Sequence, residues 1–161
     1  SHRLHLSLSL LPSSASSIWA GGDPWGFVLS STTNGVYYVA ADGNIHELLL
    51  TIGAPGSGWS HHTLPSAAPL GTPSGYARWD GKPAVIYRSV GTTYGSIREL
   101  LLDGTWSDSV LTDLDQTTSP VGNPFPYRST NLVNAVVYLS ASADVVGIRS
   151  TSANSWGLIT Y

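Results

Sequence analysis

The sequence has no cysteine, no methionine, a single lysine (Lys82) and only 11 % charged residues. Without cysteine, disulfides and thiolate zinc sites are both ruled out. The net charge of −3, with six arginines scattered along the chain, supplies no basic stripe to neutralise phosphates, so nucleic acid is not an expected partner. No apolar run approaches the roughly 18 residues of a membrane span, and no membrane insertion is expected. Leu4 to Leu11 alternates like a strand and is too short for the full architecture of a signal peptide. No Asn-x-Ser/Thr acceptor occurs. The lack of cysteine does not fix a compartment; secretion or the cell surface is the expectation. Charge this sparse would suit a disordered chain if aromatic and β-branched residues were also few. Six Trp, eight Tyr and many Val and Ile say otherwise, and 161 residues suffice for one domain with a sizeable core.

What the chain does contain is a repeat. A Gly-x-Pro turn recurs as Gly22-Asp23-Pro24, Gly71-Thr72-Pro73 and Gly122-Asn123-Pro124, at intervals of 49 and 51 residues. A β-branched run ending in Tyr recurs at the same intervals: Val36-Tyr37-Tyr38, Val85-Ile86-Tyr87 and Val136-Val137-Tyr138. A Trp opening a short strand follows in each copy, as Trp59, Trp106 and Trp156. Between the last two landmarks lie Ile45-His46-Glu47-Leu48, Ile97-Arg98-Glu99-Leu100 and Val145-Val146-Gly147-Ile148. Copy two reads as four strands, Gly75 to Trp79, Ala84 to Val90, Ser96 to Leu102 and Trp106 to Leu111. Asp80-Gly81 and Asp103-Gly104 supply the positive φ of tight hairpins. No segment keeps a helical period.

Four short antiparallel strands per repeat, at a period just above that of WD40 repeats, describe β-propeller blades. The expected fold is all-β, a β-propeller with three four-stranded blades in a single repeat domain, 1–161. Its parts are an N-terminal strand at 1–11, blade 1 at about 22–64, blade 2 at about 71–111 and blade 3 at about 122–161. A sandwich of hairpins is the alternative, but it does not require the same landmarks three times. Three blades cannot close a ring and would leave apolar flanks, so self-association into a homodimer with a six-bladed ring is expected.

Laid out this way, the chain resembles the fucose-specific lectin family of fungal and bacterial β-propellers. The stretches that carry the resemblance are Tyr38-Val-Ala-Ala-Asp-Gly-Asn-Ile-His-Glu47 and Ser96-Ile-Arg-Glu-Leu-Leu-Leu-Asp-Gly-Thr-Trp106. The resemblance implies glycans as partners, with fucose held between adjacent blades by an Arg, a Glu and an aromatic ring. A carboxylate accepts from hydroxyls, Arg donates to sugar oxygens, and a ring face covers the C–H patch. The Glu carries over to Glu47 and Glu99, whereas copy three has Gly147. The Arg position falls on Val36, Val85 and Val136, and the aromatic position on Leu50 and Leu102. Replacement groups would be Arg88 and Arg98, with Trp25, Trp59, Tyr76, Trp79 and Trp106 as stacking faces.

Each candidate also has a plainer role. Glu47 and Glu99 sit in apolar strands, where a buried carboxylate needs a partner, and either could brace a blade instead of touching a ligand. The once-per-repeat Trp59, Trp106 and Trp156 suit a core between blades, while Trp19, Trp25 and Trp79 are unevenly placed and suit exposed contact. His61 and His62 are adjacent in a strand and point to opposite faces, so they do not chelate one ion; no metal or cofactor is implied. Glu47 and Glu99 occupy equivalent positions in different blades, too far apart to share one sugar as a glycosidase pair. No nucleophile elbow, catalytic Cys or phosphate-cradling loop is present, and the chain is not expected to be an enzyme. The functional expectation is a lectin-like module, with a structural or protein-interaction propeller as the alternative.

Overall fold

The structure, a computed structural model, describes residues 20–53, 58–90, 93–111, 114–129, 133–152 and 155–160. The strand expected at 1–11 and Trp19 lie outside the described residues. Among the described residues, twelve strands form three four-stranded antiparallel meanders. The first sheet holds β1 (Trp25–Val28), β2 (Thr33–Val39), β3 (Ile45–Thr51) and β4 (Trp59–Thr63). The second holds β5 (Pro69–Ala77), β6 (Pro83–Ser89), β7 (Ser96–Asp103) and β8 (Thr105–Val110). The third holds β9 (Phe125–Arg128), β10 (Asn134–Leu139), β11 (Val145–Ser152) and β12 (Ser155–Thr160).

The middle strands of the second sheet are apolar on both faces because each face meets a neighbouring sheet. Val85, Tyr87 and Leu100 point to the first sheet and pack with Tyr37, Ile45 and Leu64, with Phe27 and Trp106 beside them. The alternate residues Ala84, Ile86 and Ile97 point to the third sheet and meet Val136, Tyr138, Val146 and Ile148, with Trp156 against the same cluster. Two cores, one per junction, therefore replace the single core of a sandwich. The sheets are consecutive blades.

The Gly-x-Pro landmark marks where the blades converge. β5 packs against β1, β2 and β9. Gly71 has φ +69°, and a Cβ there would run into Asn123 Oδ1, which accepts from Thr72 N at 3.1 Å. A Cβ at Gly22 would come within 3.2 Å of the Gly71 carbonyl oxygen. The three turns thus touch in series, and small residues permit it.

The strands of copy two fall close to where alternation and turn residues place them, except at the start of β5. This strand begins at Pro69 because Pro69 and Leu70 pair with Ser89 and Arg88 before a bulge that spans the Gly-x-Pro turn. The equivalent positions in the other blades form single bridges, Ala20 to Ala40 and Pro120 to Ser140.

One turn carries a local conflict. Gly43 and Ala143 occupy matching hairpins, donating to Ala40 O and Ser140 O at 3.0 Å each, with φ +81° and +66°. Alanine is disfavoured in this left-handed region. Ala143→Gly is expected to stabilise the fold by about 0.5–1 kcal/mol, the relief of strain less the added chain entropy. Urea denaturation checks it, and an unchanged or lowered midpoint contradicts it.

Candidate functional site

The register of β2 and β3 decides which groups can share a site. Tyr37 lies opposite Glu47, and Val36 lies opposite Leu48. Side chains alternate across a strand, so Glu47 shares its face with Gly35 and Tyr37, whereas Val36 points the other way. The same holds for Val85, opposite Leu100, and Val136, opposite Ile148. The valines assigned to the lectin Arg position therefore belong to the face toward the preceding blade, where Val85 and Val136 are core residues.

Glu47 faces the second blade and is only 2 % exposed, yet it lines a cleft of about 600 Å³ between the first two blades. From the first blade the cleft takes Leu29, Ser30, Thr33, Glu47, Leu49 and His62, and from the second Pro83, Leu102, Gly104, Thr105 and Trp106. Tyr37 donates to Glu47 Oε1 at 2.6 Å. Burial, reinforced by that bond, pushes the Tyr37 hydroxyl far above its usual range, so it remains a donor. His62 Nδ1 stands 3.4 Å from Oε2, on a side chain 53 % exposed. Trp106 meets Tyr37 edge-on at 5.9 Å and is half-buried, leaving part of the indole to the cleft. Leu102 lies opposite Trp106, so the aromatic wall comes from the strand beside the position that the lectin resemblance implies.

Glu99 has a different setting. Tyr76 donates to its Oε1 at 3.0 Å, and Arg78 Nη1 donates to Oε2 at 2.8 Å. Arg78 is itself buried, and Asp80 lies on its other side, 3.5 Å from Nε. Burial pushes the Glu99 carboxyl up and outweighs the pull of Arg78 and the Tyr76 hydroxyl. Here a buried ion pair ties two strands of the second blade together on the face that meets the third. At the third blade, Gly147 and Arg149 line a smaller hollow of about 200 Å³ with Tyr127, Ala135 and Ile159, on the flank facing away from the second blade.

The remaining candidates are dispersed. Arg98 forks onto Asp108, with Nη2 to Oδ2 at 2.8 Å, and also donates to the Tyr87 hydroxyl. Arg88 reaches the carbonyls of Pro120 and Val121. Trp25 donates to the Gly75 carbonyl and meets Phe125 edge-on, spanning the inner ends of the blades. Trp79 is half-buried, and its backbone N–H donates to Asn134. Trp59 is 41 % exposed on the flank that no described blade covers. Tyr76 is buried at Glu99. Of the candidates, the structure brings together Glu47 with Trp106, and Glu99 with Tyr76.

Sequence reading missed Arg78, whose signal was Tyr76-x-Arg78, two residues of one strand face with a charge at the second. It also missed the meeting of His46 with His61. His62 points to Glu47, while His61 Nε2 lies 2.6 Å from His46 Nδ1, and His46 Nε2 is 2.9 Å from Asp42. Burial and the neighbouring His46 hold the His61 ring below the usual imidazole range. The Asn44 N–H, helped by His46, lowers Asp42 to about 2. Among the described residues no group of three or more metal-ligating side chains is assembled.

Three face-to-face four-stranded meanders with converging first strands define a β-propeller fold. No family model and no curated protein matches the chain. Solved structures do. A variant of the Aleuria aurantia lectin in complex with alpha-methyl-L-fucoside is 13 % identical, with a TM-score of 0.59, over 85 % of this chain and 43 % of that one. A structure of the A. aurantia lectin is described as a six-bladed β-propeller. A mutant of AofleA from Arthrobotrys oligospora is 17 % identical, with a TM-score of 0.59, over 86 % of this chain and 41 % of that one. A fucose lectin from Kordia zhangzhouensis in complex with methyl-fucoside is 14 % identical, with a TM-score of 0.56, over 86 % of this chain and 99 % of that one. The chain thus spans about two fifths of the fungal proteins and nearly the whole of the Kordia lectin.

Proposed function

We propose that the chain is a lectin-like binding module that holds one sugar residue of a glycan in the cleft between its first and second blades. The observation that carries this reading is the convergence of a buried carboxylate, Glu47, with the indole of Trp106 across a blade junction. Carboxylate oxygens accept from sugar hydroxyls, and an aromatic face covers C–H groups. A cleft of this size lies within the usual range for small-molecule sites. The fucosides bound by the A. aurantia and Kordia propellers support the reading. It is a reading of binding: Glu47 and Glu99 face different junctions, so these two acids do not flank one glycosidic bond. A glycan ligand places the module outside the cell or at its surface.

The open flanks are closed by a second copy. Trp59 and the His46–His61 pair occupy positions that Trp106 and the Arg98–Asp108 pair occupy inside the first junction, where a neighbouring blade covers them. Two copies give a six-bladed ring, and light scattering should return about twice the chain mass of 17.0 kDa. Repetition around a ring converts weak single sites into avidity on a glycan-coated surface.

The test is a glycan array followed by calorimetry on the best hit. Trp106→Ala and Glu47→Ala are each expected to weaken binding at least about tenfold, or about 1.4 kcal/mol. Hits that survive both substitutions remove this cleft from the site. A blank array would instead favour a structural or protein-interaction propeller.

A further inference from the structure

Resting on the proposed sugar cleft, we infer that its ligand is an amino sugar carrying a free ammonium group, in preference to a neutral or N-acetylated sugar. The argument begins with two equivalent positions. Leu29 and Arg78 each follow the first strand of their blade, and each N–H closes the same hairpin, to Thr33 O and Lys82 O at 2.9 Å. In the second blade this position supplies the guanidinium that neutralises Glu99. In the first it supplies Leu29, which lines the cleft beside Glu47.

Glu47 is as buried as Glu99, at 2 % exposure. Among the described residues, however, neither lysine nor arginine lies within ion-pair distance of it. Its Oε1 takes the Tyr37 hydroxyl, a neutral donor, while Oε2 has only His62 at 3.4 Å, on a side chain 53 % exposed to solvent. A buried carboxylate without a counter-charge is costly, and a cation delivered by a ligand recovers that cost. The cleft adds a second attraction for a cation, since an ammonium near the Trp106 indole face gains a cation–π contact. Leu29, Leu49, Pro83 and Leu102 reduce solvation of the site, which strengthens both effects. The ligand ammonium takes the place that Arg78 fills one blade further on. A 2-acetamido or 2-hydroxy group offers no such charge.

The experiment titrates the intact chain at pH 7 with the methyl glycosides of glucosamine, N-acetylglucosamine, glucose and fucose, and with ethylammonium as a cation lacking a ring. Methyl glucosaminide is expected to bind at least about tenfold more tightly than each neutral glycoside and than ethylammonium. Glu47→Gln keeps an acceptor for Tyr37 and removes the charge; it should abolish the preference, bringing the glucosaminide down to the level of the neutral glycosides measured on the same variant. Leu29→Arg rebuilds the internal cation and should abolish the preference independently, which covers the case where the Gln variant fails to fold. Equal binding of charged and neutral glycosides, lost in Trp106→Ala, overturns the ammonium inference and leaves the sugar cleft standing. Ethylammonium binding as well as the glucosaminide overturns it also, since ring recognition is then absent. Binding of no glycoside removes the inference together with the proposed function.

Discussion

Arg78→Leu is expected to lower the unfolding free energy by about 3–5 kcal/mol, the loss that follows when one partner of a buried ion pair is removed. Arg78 and Glu99 are both buried between the second and third blades, and their 2.8 Å contact is the bond at stake. The pH dependence gives the result its signature. Burial already raises the Glu99 carboxyl above its ordinary value, with Arg78 pulling the other way, so losing the guanidinium raises it further. A carboxyl whose folded pKa exceeds its unfolded one favours folding when protonated and opposes it when ionised. The deficit of the variant against the parent should therefore be largest near neutral pH and shrink as pH falls through the raised value. Urea denaturation of both proteins at pH 7 and pH 5 measures this, and a deficit that grows on acidification would refute it. The double variant Arg78→Leu/Glu99→Leu, which removes both charges, should recover most of the loss.

Gly75→Ala should cost about 3 kcal/mol, the upper end of what overpacking usually costs. Gly75 lies in β5 directly beneath Phe27 of the first blade, and a Cβ would overlap that ring. Phe27 has little room to retreat, because it stacks on Tyr37 at 5.3 Å, and Tyr37 in turn holds Glu47. One methyl group therefore pries the first junction apart and also displaces the carboxylate of the cleft. Thermal melts and glycan titration should fail together. Phe27→Leu in the same chain should restore part of the stability, and a Gly75→Ala protein with the parent's denaturation midpoint would show that the junction yields at no cost.

The blade frame was legible because its signals are local and recur: alternating apolar residues, Asp-Gly turns and a Gly-x-Pro landmark forced by close backbone approach. The early start of β5 was not, since it depends on Pro69 and Leu70 pairing with Arg88 and Ser89 across a bulge, for which the local sequence has no marker. The carboxylates stood out as charges in apolar strands. What each does was hidden. Glu47 and Glu99 have nearly the same neighbours in sequence, and the difference comes from Leu29 and Arg78, 18 and 21 residues upstream at the end of another strand. Facing was also invisible without register: Val36 and Glu47 fall on opposite sides of one sheet, and His61 and His62 meet different partners from adjacent positions.

A cleft whose acid comes from one sheet and whose indole comes from the next is counted by seams, not by repeats. Deleting the second blade's last strand would erase the Glu47 cleft without altering any residue of the sheet that carries the acid. Grafting a further blade onto the third would enclose the hollow at Gly147 and Arg149, whose lining carries a cation where the Glu47 cleft carries an acid. Such an array can change its chemical repertoire by splicing whole modules, leaving each existing floor unmutated.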